Sequence, residues 1–459
     1  MDATEIDHLR RKHRAFFHSG KTLPLEFRLQ QIAKLCEAVK SRETAILAAL
    51  RKDLNKPVVE AYGGELGVFF EELKLIRKKL SSWMRPKRVP TPVAHFLASS
   101  HLYPEPLGTV LIIAPWNYPF QLVISPLLGA IAAGNTVVLK PSELAPATSA
   151  VIEELVKSTF DPDYVACVQG GVEVTTNLLS APWDHVFFTG SPAVGKIVMQ
   201  AAAKHLTPVT LELGGKSPCL IDTGVPIKLT ARRIAWGKFF NAGQTCIAPD
   251  YVLVPKNMRE ELLASLKEVL VEFYGEDPEK SADYGRIINE RHFSRLTKLM
   301  EGASVYCGGQ TNPEQRYLAP TILSPVEWSD PVMQDEIFGP ILPVLEYEDL
   351  EEAISQIQAH PKPLSLYFFS KDTAKQEAVL KRVSFGGGCI NDTLMHLANP
   401  HLPFGGVGNS GMGRYHGKYS FEAFSHYKSV LNKSFLVDIP LRYQPYKGKD
   451  GLVKRLFSA

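Results

Sequence analysis

Cysteine is scarce in this chain. Its 459 residues hold six, Cys36, Cys167, Cys219, Cys246, Cys307 and Cys389, and no two form a Cys-x-x-Cys pair. Neither a zinc site nor a thioredoxin-type motif is expected from that spacing, and no other metal-ligand cluster stands out. So few thiols in so long a chain make no disulfide framework, which suits a reducing compartment. A charge excess of either sign is also missing. The formal net charge is +3, with basic and acidic residues interspersed, which argues against nucleic acid or an anionic membrane as partner. No apolar run reaches the ~18 residues that a membrane helix needs. The opening residues 1–8 are charged and lack the apolar core of a secretory leader. These absences predict a cytoplasmic protein with no transmembrane segment. The tail at 447–459 is basic with a few apolar residues; it can touch a membrane surface but not span one. Internal repeats and low-complexity segments are absent too, and the glycine-bearing turn at 190–195 is not the Gly-x-Gly-x-x-Gly dinucleotide fingerprint.

What is present is material for a large core, with 45% hydrophobic residues. The length suits two or three domains. Residues up to about 85 read as helices, with apolar positions at helical spacing over 23–50 and 60–80. Prolines 86, 90, 92, 104 and 106 forbid a regular helix there and predict an extended arm. From 107 strands alternate with helices. Strands are expected at 108–114, 135–139, 164–168 and 184–189, and helices at 148–160, 172–179 and 193–205. That alternation predicts a parallel sheet of right-handed βαβ units. A second α/β region starts near 214, with helices at 227–240, 258–274 and 290–301 and strands at 364–369 and 387–391. A last strand is expected at 435–439.

Two short segments carry chemistry. Asn241-Ala242-Gly243-Gln244-Thr245-Cys246 sets a thiol in a polar turn closed by Pro249, not in a core element. A thiolate there is a candidate nucleophile, although most cysteines are buried and inert. Val209-Thr210-Leu211-Glu212-Leu213-Gly214-Gly215 sets a carboxylate in an apolar strand. Burial would raise its pKa toward the value a general base needs. Alternation equally permits Glu212 on the solvent face of an edge strand. A third segment, Ala114-Pro115-Trp116-Asn117-Tyr118-Pro119, follows an apolar strand and offers the Asn117 amide as an oxyanion donor. A proline-bounded turn accounts for the same asparagine without chemistry. Gly190-Ser191-Pro192-Ala193-Val194-Gly195 joins a strand to a helix, and a helix N-terminus suits a pyrophosphate. Lys140, Ser142 and Glu143 follow another strand. A carboxylate at 143 would accept ribose hydroxyls and repel a 2′-phosphate, while Lys140 would attract one.

These motifs together resemble the aldehyde dehydrogenase superfamily, and in particular its short class 3 branch. The likeness spans nearly the whole chain. Asn391-Asp392-Thr393-Leu394-Met395-His396, Pro403-Phe404-Gly405-Gly406-Val407-Gly408 and Ser410-Gly411-Met412-Gly413-Arg414-Tyr415-His416-Gly417 extend it. The resemblance implies an α/β fold with a Rossmann-type cofactor domain (1–85 and 107–211) and an α/β catalytic domain (212–418). Bridging segments at 86–106 and 419–459 would complete it as an oligomerisation arm. It implies Cys246 as nucleophile, Glu212 as the base that activates water, and Asn117 with the Cys246 N–H as oxyanion donors. It places Trp116, Lys140, Ser142, Glu143, Gly170, Thr189, Gly190, Ser191, Pro192, Ala193, Val194, Gly195, Leu213, Gly214, Glu336 and Phe338 around the dinucleotide. NAD is the first choice and NADP stays open. Tyr118 would line the substrate channel, and His396 and His416 are taken as structural. The implied reaction is oxidation of an aldehyde to its acid through a thioester on Cys246, in a homodimer whose residues near 430–440 extend a neighbouring sheet. The alternatives are a CoA-acylating enzyme of the same fold, against which Glu212 argues, and an inactive scaffold. Medium-chain aliphatic or aromatic aldehydes are the expected substrates.

Overall fold

The computed structural model describes residues 1–438 and 440–457. The strands Thr109–Ile113, Thr136–Lys140, Val165–Cys167, His185–Gly190 and Val209–Leu213 pair in parallel as the alternation predicts. Thr109–Ile113 and Thr136–Lys140 are buried along their whole length. Helices cover both faces of such a sheet, so its strands read as continuous apolar runs. Thr109–Ile113 lies between Thr136–Lys140 and His185–Gly190. The chain order reverses there, and a crevice opens outside the carboxyl ends of the strands at such a point. The turn after Ile113 carries Asn117 to one side of that crevice, and Gly190 begins the other.

Glu212 is the last residue but one of Val209–Leu213. That strand pairs with His185–Gly190 on one side and antiparallel with Gly411–Met412 on the other. A division after residue 211 therefore cuts through the strand, and the glycine-rich segment near 411 returns to the first sheet. Residues Pro218–Ile221, Tyr251–Pro255, Thr321–Leu323, Ile341–Tyr347, Ser365–Phe369 and Gly387–Ile390 build a second parallel sheet. Val305–Cys307 closes one of its edges in antiparallel sense.

One buried helix, Gln121–Ala133, has no periodic signal in the sequence. All 13 of its residues are buried. A helix surrounded by core has no polar face, so the 3.6-residue alternation disappears. Gly129 in this helix allows close packing, since a Cβ there would lie 2.7 Å from Ser420 Cβ.

The proline-bounded segment is extended, as expected, but not free. Lys87–Val89 and Ala98–Pro106 join Ser425–Lys433 in a three-stranded antiparallel sheet. The register runs from Ala98 opposite Lys433 to Pro106 opposite Ser425. The strand expected at 435–439 is thus misplaced. Residues 435–438 form none, and Ile439 lies outside the described residues. The reason is local: Leu97 takes a left-handed φ of 61°, so the partner strand ends at Ala98 and nothing beyond Lys433 has a ladder to join.

Candidate active site

Cys246 stands at the end of a tightly bonded loop. Asn241, Ala242 and Gly243 take φ of 55°, 50° and 72°, three left-handed residues in succession. Only glycine fits at 243, where a Cβ would lie 2.2 Å from the Gly339 carbonyl oxygen. Gln244 locks the loop from within. Its Nε2 donates to the Asn241 and Arg286 carbonyls at 3.1 and 3.0 Å, and its Oε1 accepts from the Ile288 N–H at 3.0 Å. The side chain of Tyr118 meets Thr245 Oγ1 at 2.7 Å. Strain of this kind persists only where surrounding bonds over-determine the backbone, and here they do.

The Cys246 thiol is half-buried. Burial, then the neighbouring carboxylates of Glu336 and Glu212, push it well above the ordinary thiol range, while the N–H groups of Cys246 and Ile247 pull the other way. Glu212 therefore sits close enough to be felt by the sulfur. Its residue is 3% exposed, which rules out the solvent-facing alternative. Neither carboxylate oxygen has a hydrogen-bond partner, and burial holds its carboxyl well above the usual range. Buried carboxylates are ordinarily paired. An unpaired one beside a thiol needs a water or a ligand.

Asn117 reaches the same place from the first sheet. It is buried, and its Nδ2 donates to the Gln244 carbonyl at 3.1 Å while Oδ1 has no partner. An amide carries two N–H donors, so one is not engaged by that bond. Trp116 packs its ring 4.9 Å from His292 and 5.3 Å from Phe338.

The residues expected to hold a dinucleotide lie at and after the ends of the first sheet's strands and in the segment around Glu336. Ser191 caps the helix Pro192–Ala203, accepting from the Val194 N–H at 3.4 Å. Ala193 and Val194 face solvent on its first turn. Gly195 brings that helix against the sheet, because a Cβ there would lie 2.6 Å from Leu213. A Cβ on Gly190 would strike the Phe188 ring at 2.5 Å. The hydroxyl of Thr189 is buried without a partner. At the neighbouring strand end Lys140 is buried and donates to the Pro141 carbonyl at 2.8 Å and to exposed Glu143 at 3.2 Å. Ser142 accepts from the Leu144 N–H. Gly170 takes φ of 144° beside Val174. Gly214 leaves room for Glu336, whose Oε2 would lie 2.0 Å from a Cβ there. Burial, then Asp250, push Glu336 up to about 8, against the Gly215 N–H. Lys216 fixes this corner by donating to Asp250 at 2.6 Å and to the Val332 and Asp335 carbonyls. A helix N-terminus, glycines at the close approaches and an unsatisfied hydroxyl suit a bound pyrophosphate and ribose.

A switch-point crevice in one parallel sheet, facing a thiol loop from a second, defines a pyridine-nucleotide-dependent oxidoreductase. The profile of the aldehyde dehydrogenase family matches residues 1–430, and the chain belongs to that family. It is 52% identical over 446 residues to the 4,4'-diaponeurosporen-aldehyde dehydrogenase of Staphylococcus aureus, covering 97% of each chain. The dimeric NADP-preferring aldehyde dehydrogenase of Canis lupus familiaris is 47% identical over 448 residues, with 97% of this chain and 99% of that one covered. The solved substrate-bound state of Staphylococcus aureus AldH superposes with a TM-score of 0.97 at 51% identity, over 99% of both chains. The protein is an NAD(P)-dependent aldehyde dehydrogenase.

Three groups beside the site escaped the sequence reading. Glu60 Oε2 accepts from the Asn241 N–H at 2.9 Å. Lys56 and Glu65 form a wholly buried ion pair at 2.6 Å. The one available signal was Gly63-Gly64 inside a helical pattern, which marks an interruption. The structure has a π-helix there, Tyr62–Gly67.

Proposed function

We propose that this enzyme oxidises aldehydes to carboxylic acids through a thioester on Cys246 that water, activated by Glu212, hydrolyses. One observation carries the reading: a buried carboxylate with both oxygens unpartnered among the described residues stands within electrostatic reach of a half-buried thiol. The Cys246 sulfur adds to the aldehyde carbon. The developing oxyanion is held by the free N–H of the Asn117 amide and the N–H of Cys246. Lys140–Glu143, Gly190–Gly195 and Glu336 would hold NAD or NADP, which when bound would supply a hydride acceptor for the adduct. Glu212 then takes a proton from water as that water attacks the thioester, and the acid leaves with the thiol restored. A high carboxyl pKa suits this base, because it keeps the proton affinity near the working pH. The first sheet and its helices form the cofactor unit, and the second sheet brings the thiol.

An aldehyde panel assayed with both cofactors tests the reading, with free acid measured with and without CoA. Acid formed without CoA is expected. Product only with CoA would favour the acylating alternative, and Cys246→Ala retaining oxidation would reject the nucleophile. Medium-chain aliphatic or aromatic aldehydes are the expected substrates.

The outer edge of Ser425–Lys433 is unpaired among the described residues, with Val430 and Leu431 exposed. A second copy covering that edge makes a homodimer, the assembly named for the canine relative.

A further inference from the structure

Lys56 follows the left-handed Asn55 that ends the helix Glu43–Leu54. Its ammonium is fully buried and has three neighbours. It donates to Glu65 Oε1 at 2.6 Å and to the Asn117 carbonyl at 3.0 Å, and it lies 4.2 Å from the centre of the Tyr118 ring. Glu65 sits in the π-helix Tyr62–Gly67 and turns its other oxygen outward. That oxygen accepts from the Phe120 N–H at 2.9 Å and the Gln121 N–H at 3.1 Å, at the start of Gln121–Ala133. The turn from Asn117 to Gln121 is therefore gripped at both ends by one ion pair from outside it. Both side chains are 0% exposed.

A buried ion pair is weak evidence for stability, because desolvation offsets much of its attraction, and an apolar pair of equal volume often serves as well. It does impose direction. π-Turns are rare and occur often at functional sites. What this pair directs is the backbone that leaves Asn117, from its carbonyl to the N–H of Gln121.

We propose that Lys56 and Glu65 are positioning residues for the oxyanion donor, fixing the Asn117 main chain so that its free amide hydrogen points at the carbonyl oxygen bound to Cys246. The inference rests on the reading of Asn117 given above. Lys56 draws the Asn117 carbonyl to one side, a pull shared by Asn241 Nδ2 at 2.9 Å. Glu65 anchors the N–H groups of Phe120 and Gln121, where the turn ends. With the peptide plane after Asn117 and the far end of the turn held, the side chain keeps its bond to the Gln244 carbonyl and leaves its second hydrogen in place. A displacement of about 1 Å at such a donor costs roughly 10²-fold in rate.

A mutant cycle tests this in the full-length chain. Lys56→Met should lower kcat about 10²-fold, with the KM for dinucleotide and its binding to the enzyme unchanged. In an Asn117→Ala background the same change should cost less than about threefold more, since the donor it orients is gone. Lys56→Met leaves Glu65 buried with one partner fewer and can unfold the protein, so Lys56→Met/Glu65→Gln is measured beside it. The double variant should recover the melting temperature but not kcat. Equal losses in both backgrounds, or a rate that recovers together with the melting temperature, would show a merely structural pair and overturn the proposal alone. A wild-type chain that oxidises no aldehyde would overturn the reading of the site as well.

Discussion

The side-chain amide of Asn117 donates to the carbonyl of Gln244 at 3.1 Å. This bond joins the turn after the first sheet's central strand to the loop that carries Cys246. The bond sets the proposed donor and the proposed nucleophile relative to each other before any substrate arrives, which is the condition for electrostatic catalysis without reorganisation. Removing the amide should therefore hurt turnover more than affinity. Asn117→Ala should lower kcat by about 10²–10³-fold, the usual loss for one oxyanion donor. Steady-state kinetics check it; a raised KM with unchanged kcat would make Asn117 a pocket wall only.

Glu212 stands unpartnered beside the thiol. Glu212→Gln keeps the shape and removes the base. Rapid-mixing traces should show one burst of reduced cofactor followed by slow turnover, because the thioester forms and then waits for water. In the wild type the slow step should speed up as pH rises past the ordinary glutamate range, since burial holds this carboxyl up and only its ionised form takes a proton. A uniform loss without a burst would mean that Glu212 acts on the thiol instead.

The exposed Glu143 carboxylate lies 3.2 Å from the buried Lys140 ammonium. Glu143 would repel a 2′-phosphate and Lys140 would attract one. Glu143→Gln should raise kcat/KM for NADP relative to NAD. An unchanged ratio would place Glu143 away from the adenosine ribose.

His13 is fully buried. Burial lowers it to about 4, despite the nearby Asp163. Between pH 6.5 and 4 the unfolded chain binds a proton here that the folded chain refuses. The stability from this site is complete above pH 6.5 and drains away as pH falls, by about 2 kcal/mol at pH 5. Urea midpoints at pH 7.5 and 5 should thus fall further apart in the wild type than in His13→Gln. Equal separations would assign the acid sensitivity to other groups.

The edge of Ser425–Lys433 should be covered in solution by a second copy. Sedimentation at micromolar concentration is expected to give a dimer. A fully active monomer would reject the arrangement, and a tetramer would revise it.

The sequence by itself determined the alternation of strands and helices from 107 onward and pointed to the candidate reactive groups. Alternating β-branched runs and helical segments from 107 onward could fold only as a parallel sheet with crossovers. Cys246, Glu212 and Asn117 each sat in a turn or strand whose composition suited a reactive group. Tertiary structure decided what local pattern could not express. Gln121–Ala133 has no polar face, so its helical period was invisible until the surrounding core supplied the reason. The strand near the C-terminus fell at 425–433 instead of 435–439, because its limits are set by a partner strand more than 300 residues away that stops at Leu97. Glu212 could have faced water until its strand was found between two others. Lys56, Glu60 and Glu65 look like ordinary helix-surface charges in sequence. Only the folding of that segment over residues 117–121 and 241 buries them against the turn and the loop they hold, since burial and hydrogen bonding of a charge depend on neighbours that no sequence window contains.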